Sequence, residues 1–110
     1  MLKYNEYELL ELFEAEPRII DEEAGMYEYK KNDAFGFTLA MTIFLYDEFC
    51  SLTLNYKDLK YPIFELGFDG VNNIKCKEDK LIIQQSNNSK NVVIYFKPNY
   101  FLRFEERLDL

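Results

Sequence analysis

From Phe35 to Tyr46 the chain reads "FGFTLAMTIFLY", with a large apolar residue at every second position: Phe35, Phe37, Leu39, Met41, Ile43 and Leu45. The intervening Gly36, Thr38, Ala40 and Thr42 are small or polar. A period of two is what a strand shows when one face is buried and the other is wet, whereas a helix needs apolar residues three and four apart. The pattern recurs downstream. "FCSLTLNY" sets Cys50, Leu52, Leu54 and Tyr56 against Ser51, Thr53 and Asn55, and "IFELGF" sets Phe64, Leu66 and Phe68 against Ile63 and Glu65. Shorter segments follow, "IKC", "KLIIQQ", "VVIYF" and "YFLRF", separated by turn-forming "FDGVNN", "KED" and "SNNSKN". "RII" and "MYEYKK" supply a further hairpin ahead of the long strand, turning at Gly25.

Only the front of the chain has a helical period. "NEYELLELFEAEP" offers Asn5 as an N-cap, Glu8 three residues later to close a capping box, and Leu9, Leu10 and Phe13 on one face, with Pro17 forbidding continuation past Glu16. A helix this short is stable only when docked. The expected architecture is therefore α+β: one N-terminal helix packed on a meandering antiparallel β-sheet of about six or seven strands. Residues 1–110 are expected to form a single domain, since a chain of this length has no room for a second core.

What is missing excludes much chemistry. The chain contains no histidine, which removes Ser-His-Asp and Cys-His triads and His-ligated zinc. Cys50 and Cys76 are not in a Cys-x-x-Cys unit and are expected to be buried thiols. "IIDEEAG" and "DGVNN" lack the alternating oxygen ligands of a hard-cation loop, and no glycine-rich phosphate loop is present. Neither metal nor cofactor is expected, and the chain is read as non-enzymatic. The weaker alternative is a small carboxylate-dependent hydrolase, which would need paired acids in a deep pocket. The opening "MLKYNEYELLELFEAE" carries glutamates where a secretory leader would be apolar, and the longest apolar-rich run is 12 residues. The reading is a cytoplasmic protein with no membrane partner.

The net charge of −7 is unevenly spread. Residues 1–28 hold nine acids and two bases, while residues 29–110 hold eleven of each. Such asymmetry bears on partners more than on folding. No basic patch is evident along the sequence, so nucleic acid is not an expected ligand. Six acids crowd between positions 14 and 28, and Tyr27 and Tyr29 bracket the last of them. Acids around rigid aromatics suit a basic protein surface: the field speeds encounter and the rings slow departure. The expected partner-binding residues are Glu14, Glu16, Asp21, Glu22, Glu23, Tyr27, Glu28 and Tyr29.

Residues 44–83, "FLYDEFCSLTLNYKDLKYPIFELGFDGVNNIKCKEDKLII", resemble the central strands of small acidic β-rich immunity proteins of bacterial polymorphic toxin systems. The resemblance rests on the patterned strand pair, the "PIFEL" strand and the "IKCKEDKLII" hairpin. It implies a stoichiometric inhibitor that binds a cognate toxin, and it carries over no fixed functional residues. The alternative from another class is a self-associating module, a homodimer formed through an exposed sheet edge if the long strand at 35–46 lies there.

Overall fold

The structure, a computed structural model, describes residues 1–107. Its elements in chain order are β1 (Lys3–Tyr4), α1 (Glu6–Phe13), β2 (Arg18–Asp21), β3 (Met26–Asn32), β4 (Phe37–Phe44), β5 (Phe49–Tyr56), β6 (Phe64–Phe68), β7 (Val71–Lys77), β8 (Lys80–Gln85), β9 (Lys90–Tyr95) and β10 (Phe101–Glu106). The helix and the antiparallel pairing are as expected, but the number and grouping of strands are not. Two five-stranded sheets form, ordered β2-β3-β4-β5-β6 and β1-β7-β8-β9-β10. A single sheet of this width would leave most of its apolar face bare, because one eight-residue helix cannot cover it. Facing two sheets together solves that problem. The chain changes sheet at Asp69-Gly70, where Gly70 takes a φ of +61°.

Both sheets and the helix feed one buried cluster. Leu39, Met41, Ile43, Cys50 and Leu52 come from the first sheet, Ile74, Leu81, Ile83, Val92 and Ile94 from the second, and Leu9, Leu12 and Phe13 from α1. The alternation read from the sequence is the alternation observed: β4 pairs in register with β3 on one side and β5 on the other. That central position corrects the expectation that this long strand could be an exposed edge. A second departure is β1, whose two residues pair parallel with Asn73 and Ile74 of β7. Two residues carry no readable period.

Helix α1 begins as anticipated. The Asn5 side chain accepts from the Tyr7 and Glu8 amides at 2.9 and 3.2 Å. Glu8 does not complete the capping box, because its carboxylate instead accepts from the Cys76 amide at 3.3 Å and ties the helix to β7. The helix stops at Phe13, well before Pro17, as Glu14 enters the left-handed region with φ 56°. Leu12 rather than Leu10 completes the buried face. No basic residue lies in the last turn, yet Lys31 reaches over from β3 and donates to the Leu12 carbonyl at 3.2 Å. A cation at that end complements the helix dipole.

Gly25 is required where it stands. It has φ +66°, and a Cβ there would sit 2.9 Å from the Cβ of Leu45. The β2–β3 turn is thereby pressed against the β4–β5 turn. No helix among the described residues is long and apolar enough to cross a membrane.

Candidate functional site

The acidic stretch does not form one patch. Glu14 lies at the end of α1 and pairs with Lys31, near the end of β3, whereas Asp21, Glu22 and Glu23 sit at the β2–β3 turn where β3 begins. Seven residues of strand separate the two ends by ~20 Å. Glu28 lies between them, ion-paired with Arg18 at 3.0 Å, and Asp21 accepts from the Ala24 amide at 3.1 Å within its own turn. Glu16 borders a small hollow with Glu6 and Tyr7.

The two tyrosines face inward. Tyr29 is 2% exposed, with its ring 5.4 Å from that of Phe13, and Tyr27 packs half-buried against the core. Tyr29 is therefore a core residue and not a surface anchor. The reason is the pleat: Tyr27, Tyr29 and Lys31 share one side of β3, and Glu28 and Lys30 share the other. The exposed aromatics near the acids are different ones. Tyr7 is 74% exposed beside Glu6 and Glu16, and Tyr46 lies against Gly25 at the β2–β3 turn.

One concavity gathers acids from distant parts of the sequence. A cleft of about 530 Å³ lies between α1 and the β7–β8 turn, where Glu8, Glu11, Glu14, Glu78 and Asp79 meet Lys31 and Lys97. Five carboxylates against two lysines leave it negative. Glu14 is held below the usual carboxylate range, chiefly by its hydrogen bond to Lys31. Lys97 approaches Asp79 at 3.9 Å. Glu14, Lys31 and Lys97 also border a second, apolar groove of about 660 Å³ lined by Phe35, Phe96, Pro98 and Tyr100. The Tyr100 hydroxyl donates to the Lys31 carbonyl at 2.7 Å and fixes the groove wall to β3. Phe35 projects from the rim, 57% exposed.

Of the residues expected from sequence, this cleft holds Glu14 alone. Glu78 and Asp79 were hidden in a stretch whose charges cancel. The same cancellation hid a basic surface. Pairing places Lys75, Ile82, Val93 and Arg103 in one row across the second sheet and Lys77, Lys80, Tyr95 and Phe101 in the next. Lys80 and Arg103 flank the Tyr95 ring at 5.3 and 5.7 Å.

Cys76 lines the acidic cleft, and its thiol is pushed up to about 12 by burial and then by the Glu8 carboxylate. Burial alone does the same to Cys50. Thiolates are the reactive species, so the folded chain at about pH 8 is expected to react with an aromatic disulfide reagent at least ~100-fold more slowly than free cysteine. Both thiols should react promptly in urea. Cys50 is buried as expected, whereas Cys76 is only partly buried, and fast native-state labelling of either contradicts the raised thiols.

The whole chain has a counterpart in fold among proteins of known structure. It has the fold of a chain in the contact-dependent growth inhibition toxin–immunity protein complex from Klebsiella pneumoniae 342. The TM-score is 0.81, and the match covers 96% of this chain and 97% of that one. Identity is 16%, so the likeness is one of fold. No family model matches the chain, and no curated protein matches it in sequence.

Proposed function

We propose that this chain is an immunity protein that binds a cognate bacterial toxin and neutralises it by covering a basic surface. The observation that carries the reading is the whole-chain likeness to a chain from a toxin–immunity complex. The acidic cleft supports it independently. Glu11, Glu78 and Asp79 would contribute the field, Glu14 would mark the junction with the apolar groove, and Phe35 would be the aromatic anchor at its rim. Glu16, Asp21, Glu22, Glu23 and Glu28 would add steering at longer range, with Tyr27 only half accessible. Such a protein works by affinity and needs no catalytic group, cofactor or metal, and the toxin acts in the compartment where it meets this chain. Glu14, held ionised by Lys31, is not suited to act as a general acid.

The test is to co-express the chain with the C-terminal domain of a toxin from a neighbouring reading frame, where the genome carries one. A one-to-one complex that restores growth is the expected result, with an association rate that falls steeply as salt rises. A toxin that stays fully active in excess chain sinks the reading. A complex whose association ignores salt removes the electrostatic part and leaves the inhibition.

A further inference from the structure

Four strands end the two sheets: β2 and β6 in one, β1 and β10 in the other. Free edges invite pairing with other chains, and proteins guard them with brevity, bulges or charge. Three of these edges are guarded. β1 is two residues long, β2 has a register shift between Ile19 and Asp21, and β10 carries Arg103, Glu105 and Glu106. β6, "FELGF", is regular along its pairing with β5 and holds one charge, Glu65.

The side chains around β6 are also left uncovered. Leu59, Tyr61, Ile63 and Leu66 are 56%, 71%, 48% and 36% exposed. Leu66 is the telling residue. It sits opposite Leu52, which is fully buried, so it points to the core side of the sheet. It is nonetheless open, because among the described residues no strand lies beyond β6 to close the layer over it; Phe104, opposite buried Val92, is open in the same way on β10, where flanking charges guard the edge. The apolar layer runs past the end of the protein's own sheet.

We infer that the β6 edge, with the connection leading into it, is where two copies of this chain pair as an antiparallel, two-fold dimer. Charge selects a second copy as the occupant. A two-fold interface sets a surface against itself, so a strongly charged patch opposes its own pairing. The acidic cleft and the basic face of the second sheet are both excluded on that ground. Across residues 57–68 the charges are Lys57, Asp58, Lys60 and Glu65, which cancel in a chain of net charge −7. Pairing centred on Leu66 sets Leu66 against its own copy and Glu65 against Gly67, so no two carboxylates are directly opposed. The two sheets then become one continuous ladder, and the open apolar layer is closed. This dimer does not depend on toxin binding, for which a different surface is proposed above.

The experiment is sedimentation velocity of the full chain from about 1 to 100 µM, at low and high salt. A dimer that persists or strengthens with salt is expected. The double variant Ile63→Lys with Leu66→Lys should weaken it by roughly tenfold or more, while Phe104→Lys on the β10 edge should leave it unchanged. Circular dichroism checks that each variant is folded. Amide exchange at residues 63–67 provides a second readout without mutation and should slow as the concentration of the native chain rises. A monomer throughout the range overturns the proposal, as does a dimer indifferent to the β6 variant, one lost in Phe104→Lys instead, or exchange that ignores concentration.

Discussion

Reversing two charges of the acidic cleft, with Glu11→Lys and Glu78→Lys together, is expected to slow association with a basic toxin by between about 10- and 100-fold at low ionic strength. Both positions are exposed, and among the described residues neither makes an ion pair or side-chain hydrogen bond that would confuse the result with misfolding. Glu8 is avoided because it holds the Cys76 amide, and Glu14 because it pairs with Lys31. The same reversal at Glu22 and Glu23 supplies the comparison. Those residues lie ~20 Å from the cleft along β3, more than a Debye length at physiological salt, so their effect should stay below about tenfold and vanish first as salt is added. Stopped-flow mixing across a salt series reads both. Equal losses at the two sites would mean that the toxin sees only overall charge. A larger loss at Glu22 and Glu23 would move the interface to the β2–β3 turn, where Tyr46 rather than Phe35 is the exposed ring.

Charge summed along the sequence reveals one of these places and not the other. Adding charges along a stretch finds acids that are neighbours in the chain, and so it found Asp21, Glu22 and Glu23. It could not find a cleft whose walls are a helix near residue 11 and a turn at residue 78, because those come together only when β7 docks beside β1. The basic rows across the second sheet were lost in the same way, since Lys75, Lys77, Lys80 and Arg103 lie among enough acids to cancel. The direction of the tyrosines, by contrast, was legible. The rule that correctly placed Leu39, Met41 and Ile43 also places Tyr27 and Tyr29 on one side of β3, away from Glu28 and Lys30. The pleat, and not proximity in sequence to acids, decides where the rings point. The second sheet follows from area, since the strands carry more apolar face than one short helix covers.

The second large effect concerns the residue that joins these layers. Phe13→Ala is expected to destabilise the chain by about 3–5 kcal/mol in urea unfolding, with little change in the denaturant slope. Phe13 is 1% exposed and ends α1. Its ring meets Tyr29 of the first sheet at 5.4 Å and, edge-on, Phe96 just beyond β9 of the second at 5.2 Å. Truncation therefore opens a cavity where the helix packs into the core shared by both sheets, and it also removes two aromatic pairs of about 0.5–1.5 kcal/mol each. A domain of this kind has only about 5–15 kcal/mol in total, so the variant should lose a large share of its stability. Leu10→Ala, on the half-exposed side of the same helix, controls for helix propensity and should cost about 1 kcal/mol or less. The consequence reaches the cleft, because Lys31 both caps the helix and pairs with Glu14 at the cleft's edge. If Phe13→Ala cost no more than Leu10→Ala, the helix would be a loosely held appendage. Its carboxylates would then have no fixed position from which to meet a partner.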